Sequence, residues 1–157
     1  MNSELIHLLL VDDDKDDCQF FEEALQELHL ATHFSRVHDG EQLMRLLTNK
    51  TEQLPHVLFL DLNIPRKNGH ECLSEIKLNK KLNRLFVIIF SASSEQGIVN
   101  RLYKSGAQYY IRKPTEFTQL KKVIHQALTI IAKSLPDLKT GNFAQPLKGN
   151  FVLTGDL

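Results

Sequence analysis

"LLLVDDDKDD" (residues 8–17) sets four aliphatic residues directly before five aspartates and one lysine. A continuous apolar run of this kind fits a strand covered on both faces in a parallel sheet, where side chains need not alternate. The run extends back to Leu5, and two others, Val57–Leu60 and Leu85–Phe90, are likewise followed by polar residues. Helical stripes lie between and after them: Cys18, Phe21, Leu25 and Leu28; Leu43, Leu46 and Leu47; Leu73 and Ile76; Ile98, Leu102 and Tyr103; Phe117, Leu120, Ile124, Leu128 and Ile131. Ser93 with Gln96 has capping-box spacing for the fourth helix, and Gly106 closes it. Two weaker strands, about 32–37 and 108–111, precede Asp39-Gly40 and Lys113-Pro114. Five strand–helix repeats predict an α/β class, a doubly wound five-stranded parallel sheet with right-handed crossovers and order 2-1-3-4-5.

Ligands of such sheets bind beyond the carboxyl ends of the strands, where the strand order reverses. Here that crevice lies between the first and third strands, which end in Asp12-Asp13 and Asp61. Carboxylates converging from two strand ends repel one another unless a cation joins them. Magnesium, or manganese, suits all-oxygen ligands and keeps coordination positions for water and phosphate. A carboxylate beside such an ion can act as a nucleophile toward phosphorus. Ser91 and Lys113, at the ends of the fourth and fifth strands, fall on the same rim.

Composition narrows the function classes. Nineteen basic and nineteen acidic residues cancel, so no global field favours nucleic acid or an anionic membrane. Cys18 and Cys72 have no ligand spacing and read as reduced, packed thiols. Neither a basic signal-peptide start nor an apolar stretch of about 20 residues is present, so a cytoplasmic protein without a membrane anchor is expected.

These residues match a known pattern. "LLVDDD", "DLNIPRKNG", "FSAS" and "YYIRKP" occur in the order found in the receiver domain of two-component response regulators, the CheY-like, flavodoxin-like group, and Asp61, Pro65 and Gly69 keep its D-x-x-x-P-x-x-x-G spacing. The wording is similar to the single-domain, phytochrome-associated type. The resemblance implies that Asp61 is the phosphoacceptor and that Asp12, Asp13, Asp61 and the Asn63 backbone carbonyl hold the metal. It implies that Ser91 is the switch hydroxyl, that Lys113 pairs with phosphate, that Tyr110 is the switch aromatic, and that Lys113–Pro114 is a cis peptide. It further implies a phosphorelay switch rather than an enzyme, with slow self-dephosphorylation. The implied partners are a sensor histidine kinase or phosphotransfer protein upstream and a protein target downstream. Dimerisation is implied through the fourth helix, fifth strand and fifth helix.

The opening run also imitates two other motifs. Read as a calcium loop from Asp12, it fails at the sixth position, where Asp17 replaces the glycine. Read as the D-x-D-x-T start of a metal-dependent phosphatase with Asp12 as nucleophile, it has Asp16 in the threonine position; this is the alternative enzyme reading. Asp14, Asp16 and Asp17 read mainly as helix-start charges, and His29, His33 and His38 as surface or packing residues. The receiver-like domain is placed at residues 1–133. Residues 134–157 form a tail too short for a second core; Phe143 and Phe151–Leu153 are its candidates for docking on the domain or on another protomer, against a disordered tail.

Overall fold

The computed structural model describes residues 5–49, 53–93, 95–140 and 144–156. Strands β1 (Ile6–Val11), β2 (Thr32–Val37), β3 (Val57–Leu60), β4 (Phe86–Ser91) and β5 (Tyr109–Arg112) alternate with helices α1 (Lys15–Leu28), α2 (Gly40–Thr48), α3 (Gly69–Leu78), α4 (Gln96–Lys104) and α5 (Phe117–Thr140). A short 3-10 turn, Lys148–Asn150, leads into β6 (Val152–Leu153). All strand pairs are parallel. The order is β2-β1-β3-β4-β5-β6, the expected doubly wound arrangement with one strand more than the five expected. The added strand is only two residues long and hydrogen-bonds along β5.

The two sheet faces explain the apolar runs. Leu8 and Leu10 of β1 face Cys18, Phe21, Leu25, Ile124 and Leu128 of α1 and α5. Leu9 and Val11 join Leu43, Leu47, Leu73, Ile76 and Leu102 of α2, α3 and α4 on the other face. Both faces are therefore core, so both parities of the strand had to be apolar.

Local chemistry sets the helix starts. Asp14 caps α1, accepting from the backbone N–H of Asp16 and Asp17, and Asn68 with Glu71 forms a capping box on α3. The box expected for α4 is not formed: Glu95 is its N-cap without a side-chain bond. The Ser93 hydroxyl instead accepts from the Glu95 N–H at 3.4 Å, and the Ser93 carbonyl accepts from the Tyr110 hydroxyl at 2.6 Å. Gly106 leaves α4 at φ +99°, as a left-handed helix exit requires.

Helix α5 runs through the expected boundary at 133/134 and reaches Thr140, with Pro136 inside it. Beyond it, Phe151 is buried against Tyr103 and Tyr110, the Tyr103 hydroxyl donates to the Pro146 carbonyl at 2.7 Å, and the Gly155 N–H donates to Gln126 Oε1. Phe143 lies outside the described residues. No helix among the described residues is long and apolar enough to cross a membrane.

Candidate functional site

The carboxyl ends of β1, β3, β4 and β5 deliver Asp12, Asp61, Ser91 and Lys113 to one rim. Asp61 follows β3 directly, its N–H donating to the Val11 carbonyl at 3.0 Å, and that bond fixes it beside Asp12. The loop after Asp61 is pinned by Gly69, whose N–H donates to the Leu62 carbonyl. A Cβ on Gly69 would lie 2.4 Å from the Asp61 carbonyl oxygen, so this close return needs glycine. That contact supplies a physical reason for the glycine of the D-x-x-x-P-x-x-x-G spacing.

Carboxylate oxygens of Asp12, Asp13 and Asp61 lie within 4.8 Å of one another, Asp12 and Asp61 buried and Asp13 exposed. The Lys113 ammonium stands among them at 2.8 Å from Asp12 Oδ2 and 2.9 Å from Asp61 Oδ2. It is also 2.9 Å from Asp17 Oδ2. Asp17 therefore belongs to the site, although its position in the first turn of α1 marks it in the sequence as a helix-start charge. Asp14 keeps the capping role. Asn63 donates its N–H to Asp61 Oδ1 at 3.2 Å, and Ser91 is fully buried at the end of β4, its Oγ accepting from the Ser93 N–H at 3.4 Å.

Four carboxylates against one ammonium leave the rim strongly anionic. Burial pushes the Asp12 carboxyl up to about 6, with the Lys113 and Asp14 hydrogen bonds pulling the other way. For Lys113, burial lowers the pKa, but hydrogen bonds to Asp12, Asp17 and Asp61 outweigh it and the net shift is upward. Asp12 Oδ2 has only the Lys113 ammonium near it, and that ammonium is shared with Asp17 and Asp61. A buried, under-satisfied oxygen with two more carboxylates around it fits a hard divalent ion.

Lys113 reaches this cluster without the expected cis bond. Lys113–Pro114 is trans, since the described residues contain no cis peptide. Trans is the default by about 0.5–1 kcal/mol for such bonds, and the Lys113 N–H bond to the Ser91 carbonyl at 2.8 Å aligns the chain end with β4. Tyr110 is buried, with burial raising its hydroxyl pKa above the usual value. Cys18 and Cys72 are buried thiols pushed up to about 11 by burial, which fits packing rather than chemistry.

Residues 8–125 match the family described as "Response regulator receiver domain". The chain belongs to that family. It is 31% identical over 121 residues to Response regulator Rcp1 of Synechocystis sp., covering 74% of this chain and 82% of Rcp1. It is 28% identical over 122 residues to the probable methanogenesis regulatory protein FilR2 of Methanothrix harundinacea, covering 76% and 79%. The phosphorylated cyanobacterial phytochrome response regulator RcpA is similar in structure at a TM-score of 0.70 and 27% identity, covering 92% of this chain and all (100%) of RcpA. The Mn(2+)-bound form of Rcp1 gives 0.69 and 25%, covering 90% and 99%.

The receiver is thus a CheY-like phosphoacceptor switch of two-component signalling, a domain type that takes phosphate from histidine kinases and acts on downstream partners. None of these comparisons supports the phosphatase alternative built on Asp12. The acidic cluster fits the divalent-ion binding of receiver domains.

Proposed function

We propose that Asp61 is the phosphoacceptor, that Asp12, Asp13, Asp61 and the Asn63 backbone carbonyl hold Mg2+, and that Lys113 and Ser91 read the phosphorylated state. One observation carries this reading: Asp61 ends β3 between two further carboxylates and an ammonium 2.9 Å away. In the reaction, an Asp61 carboxylate oxygen forms a bond to phosphorus as the P–N bond of a partner's phosphohistidine breaks, and the imidazole leaves with the electron pair. The bound ion supplies charge neutralisation between the acidic rim and the anionic donor. Lys113, already paired with Asp61, offers its charge to a phosphate oxygen, and Ser91 turns its hydroxyl toward the same group. That movement alters the packing around Tyr110 and biases the surface formed by α4, β5 and α5.

Phe20 supports a docking role for the adjoining face. It is 50% exposed on α1 and shares a shallow cavity with Pro114, Thr115, Phe117 and Leu120 beside the active rim. An apolar side chain there gives the helix carrying the donor histidine an anchor. The same reading includes a cytoplasmic location, slow self-dephosphorylation, a protein target downstream and self-association through the α4–β5–α5 face or the C-terminal segment.

Incubation with acetyl phosphate and Mg2+, followed by intact-mass measurement, tests the assignment. Wild type should gain one phosphoryl group, Asp61→Asn none, and Asp12→Asn a reduced amount. Uptake that persists in Asp61→Asn and vanishes in Asp12→Asn would place the acyl phosphate on the wrong aspartate for this proposal.

A further inference from the structure

At the opposite end of the sheet three histidines stand on neighbouring strands. His7 of β1 is in register with His33 of β2. His56, one residue before β3, donates its N–H to the His7 carbonyl at 2.8 Å. The ring centroids of His7 and His33 are 5.0 Å apart at an interplanar angle of 36°, and those of His7 and His56 are 5.3 Å apart, edge to face. Helix α2 stops at Thr48, so this rim of the sheet opens into a cavity of about 320 Å3 lined by His7, His33, Ser35, Leu46 and Gln53, among others.

We propose that His7 and His33 chelate a borderline divalent transition ion such as Zn2+ or Ni2+ at this rim. Imidazole nitrogens suit these ions, whereas Mg2+ requires oxygen ligands, so the two ends of the sheet sort cations by softness. Metal–nitrogen bonds of about 2.0–2.1 Å bring two ligating nitrogens to about 3 Å from each other. Neighbouring rings on paired strands reach that separation by side-chain rotation. His56 is a positioning residue. Its Nδ1 accepts the His7 backbone N–H at 2.9 Å, which leaves the ring's proton on Nε2 and excludes it from ligation in that tautomer. Water would complete the coordination, in the cavity that Ser35 and Gln53 also line. Binding ties β2, the edge strand, to β1 and makes no use of the phosphoacceptor assignment.

Titration of the full chain with Ni2+, read by calorimetry and by paramagnetic broadening of backbone amide signals, tests the site. Wild type should show broadening of the amides of residues 7, 33 and 35, whether or not the aspartate rim also takes Ni2+. His33→Gln, an exposed position, and His7→Gln should each lose that broadening, with the dispersion of the remaining amide signals as evidence that the variant is folded. Affinity at the histidine rim should fall by at least about tenfold in each, since losing a direct ligand costs no less than losing an outer-shell partner. No broadening at residues 7, 33 and 35 in wild type, or broadening there that survives either substitution at unchanged affinity, overturns the proposal.

Discussion

Lys113 Nζ lies 2.9 Å from Asp61 Oδ2, so the proposed acceptor carboxylate is already paired with the cation that is to hold its product. The same ammonium serves Asp12 and Asp17. Lys113 and a divalent ion therefore neutralise one set of charges, and each partly substitutes for the other. Lys113→Ala should destabilise the metal-free protein toward the lower end of the roughly 3–5 kcal/mol expected for breaking a buried pair. Saturating Mg2+ should then restore more stability in the variant than it adds to wild type. Urea unfolding of both proteins with and without Mg2+ measures this; equal metal increments would show that the lysine and the ion do not compete.

Asp12 gives a pH dependence of the opposite sign to the usual carboxylate. Its pKa is raised from 3.8 to about 6 in the folded protein, so between those values the folded state holds the proton more tightly than the unfolded chain. Asp12's contribution is fully present below pH 3.8 and is lost as pH rises through about 6. Metal-free Asp12→Asn, which cannot ionise there, should be more stable than wild type at pH 7.5 by about 1–3 kcal/mol, offset in part by the lost Lys113 pair. The advantage should disappear near pH 4. Denaturation at a series of pH values in chelator checks it, and a constant difference between the two proteins would mean that Asp12 does not titrate in this window.

Strand order and the acidic rim were legible because both rest on local patterns: apolar runs of both parities and polar residues at their ends. Asp17 was not, because its pairing with Lys113 spans 96 residues and a first-turn aspartate already has a sufficient local role. The α4 box failed because the helix starts two residues later, with Glu95 as N-cap and the Ser93 hydroxyl accepting from the Glu95 N–H. Strand β6 left no periodicity at two residues; Phe151–Leu153 was legible as a docking candidate, not as a strand. The histidine row is visible only once strand register aligns residues 7, 33 and 56.

Two glycines should respond in opposite directions. A Cβ added at Gly69 would meet the Asp61 carbonyl oxygen at 2.4 Å and the Leu62 Cα at 2.7 Å, whereas one added at Gly97 would meet nothing within 4 Å. Gly69→Ala should cost about 1–3 kcal/mol by overpacking and slow phosphoryl uptake by shifting Asp61. Gly97→Ala, within α4, should gain about 0.5–1 kcal/mol and leave uptake unchanged. Thermal melts and acetyl phosphate labelling of both variants suffice; a Gly69→Ala protein of wild-type stability and rate would refute the role given to this close approach.

Phe151 couples the C-terminal segment to Tyr110, the proposed switch aromatic. Its ring packs on Tyr103 and Tyr110, and its carbonyl accepts the Tyr110 N–H at 3.0 Å, while the Tyr110 hydroxyl is held by the Ser93 carbonyl. Tyr110 is thus buried by two contacts of different kinds. Tyr110→Phe removes one hydrogen bond and should cost about 1 kcal/mol. Phe151→Ala removes a buried ring and should cost about 3–5 kcal/mol if the segment unfolds only with the domain. If the segment detaches alone, the loss is capped at its own docking energy, and truncation after Thr140 should then destabilise by the same amount. In both cases the Tyr110 environment should become wetter, read as a change in near-ultraviolet circular dichroism. Unchanged melting temperature and spectrum after truncation would show that the segment does not hold Tyr110 inward in solution.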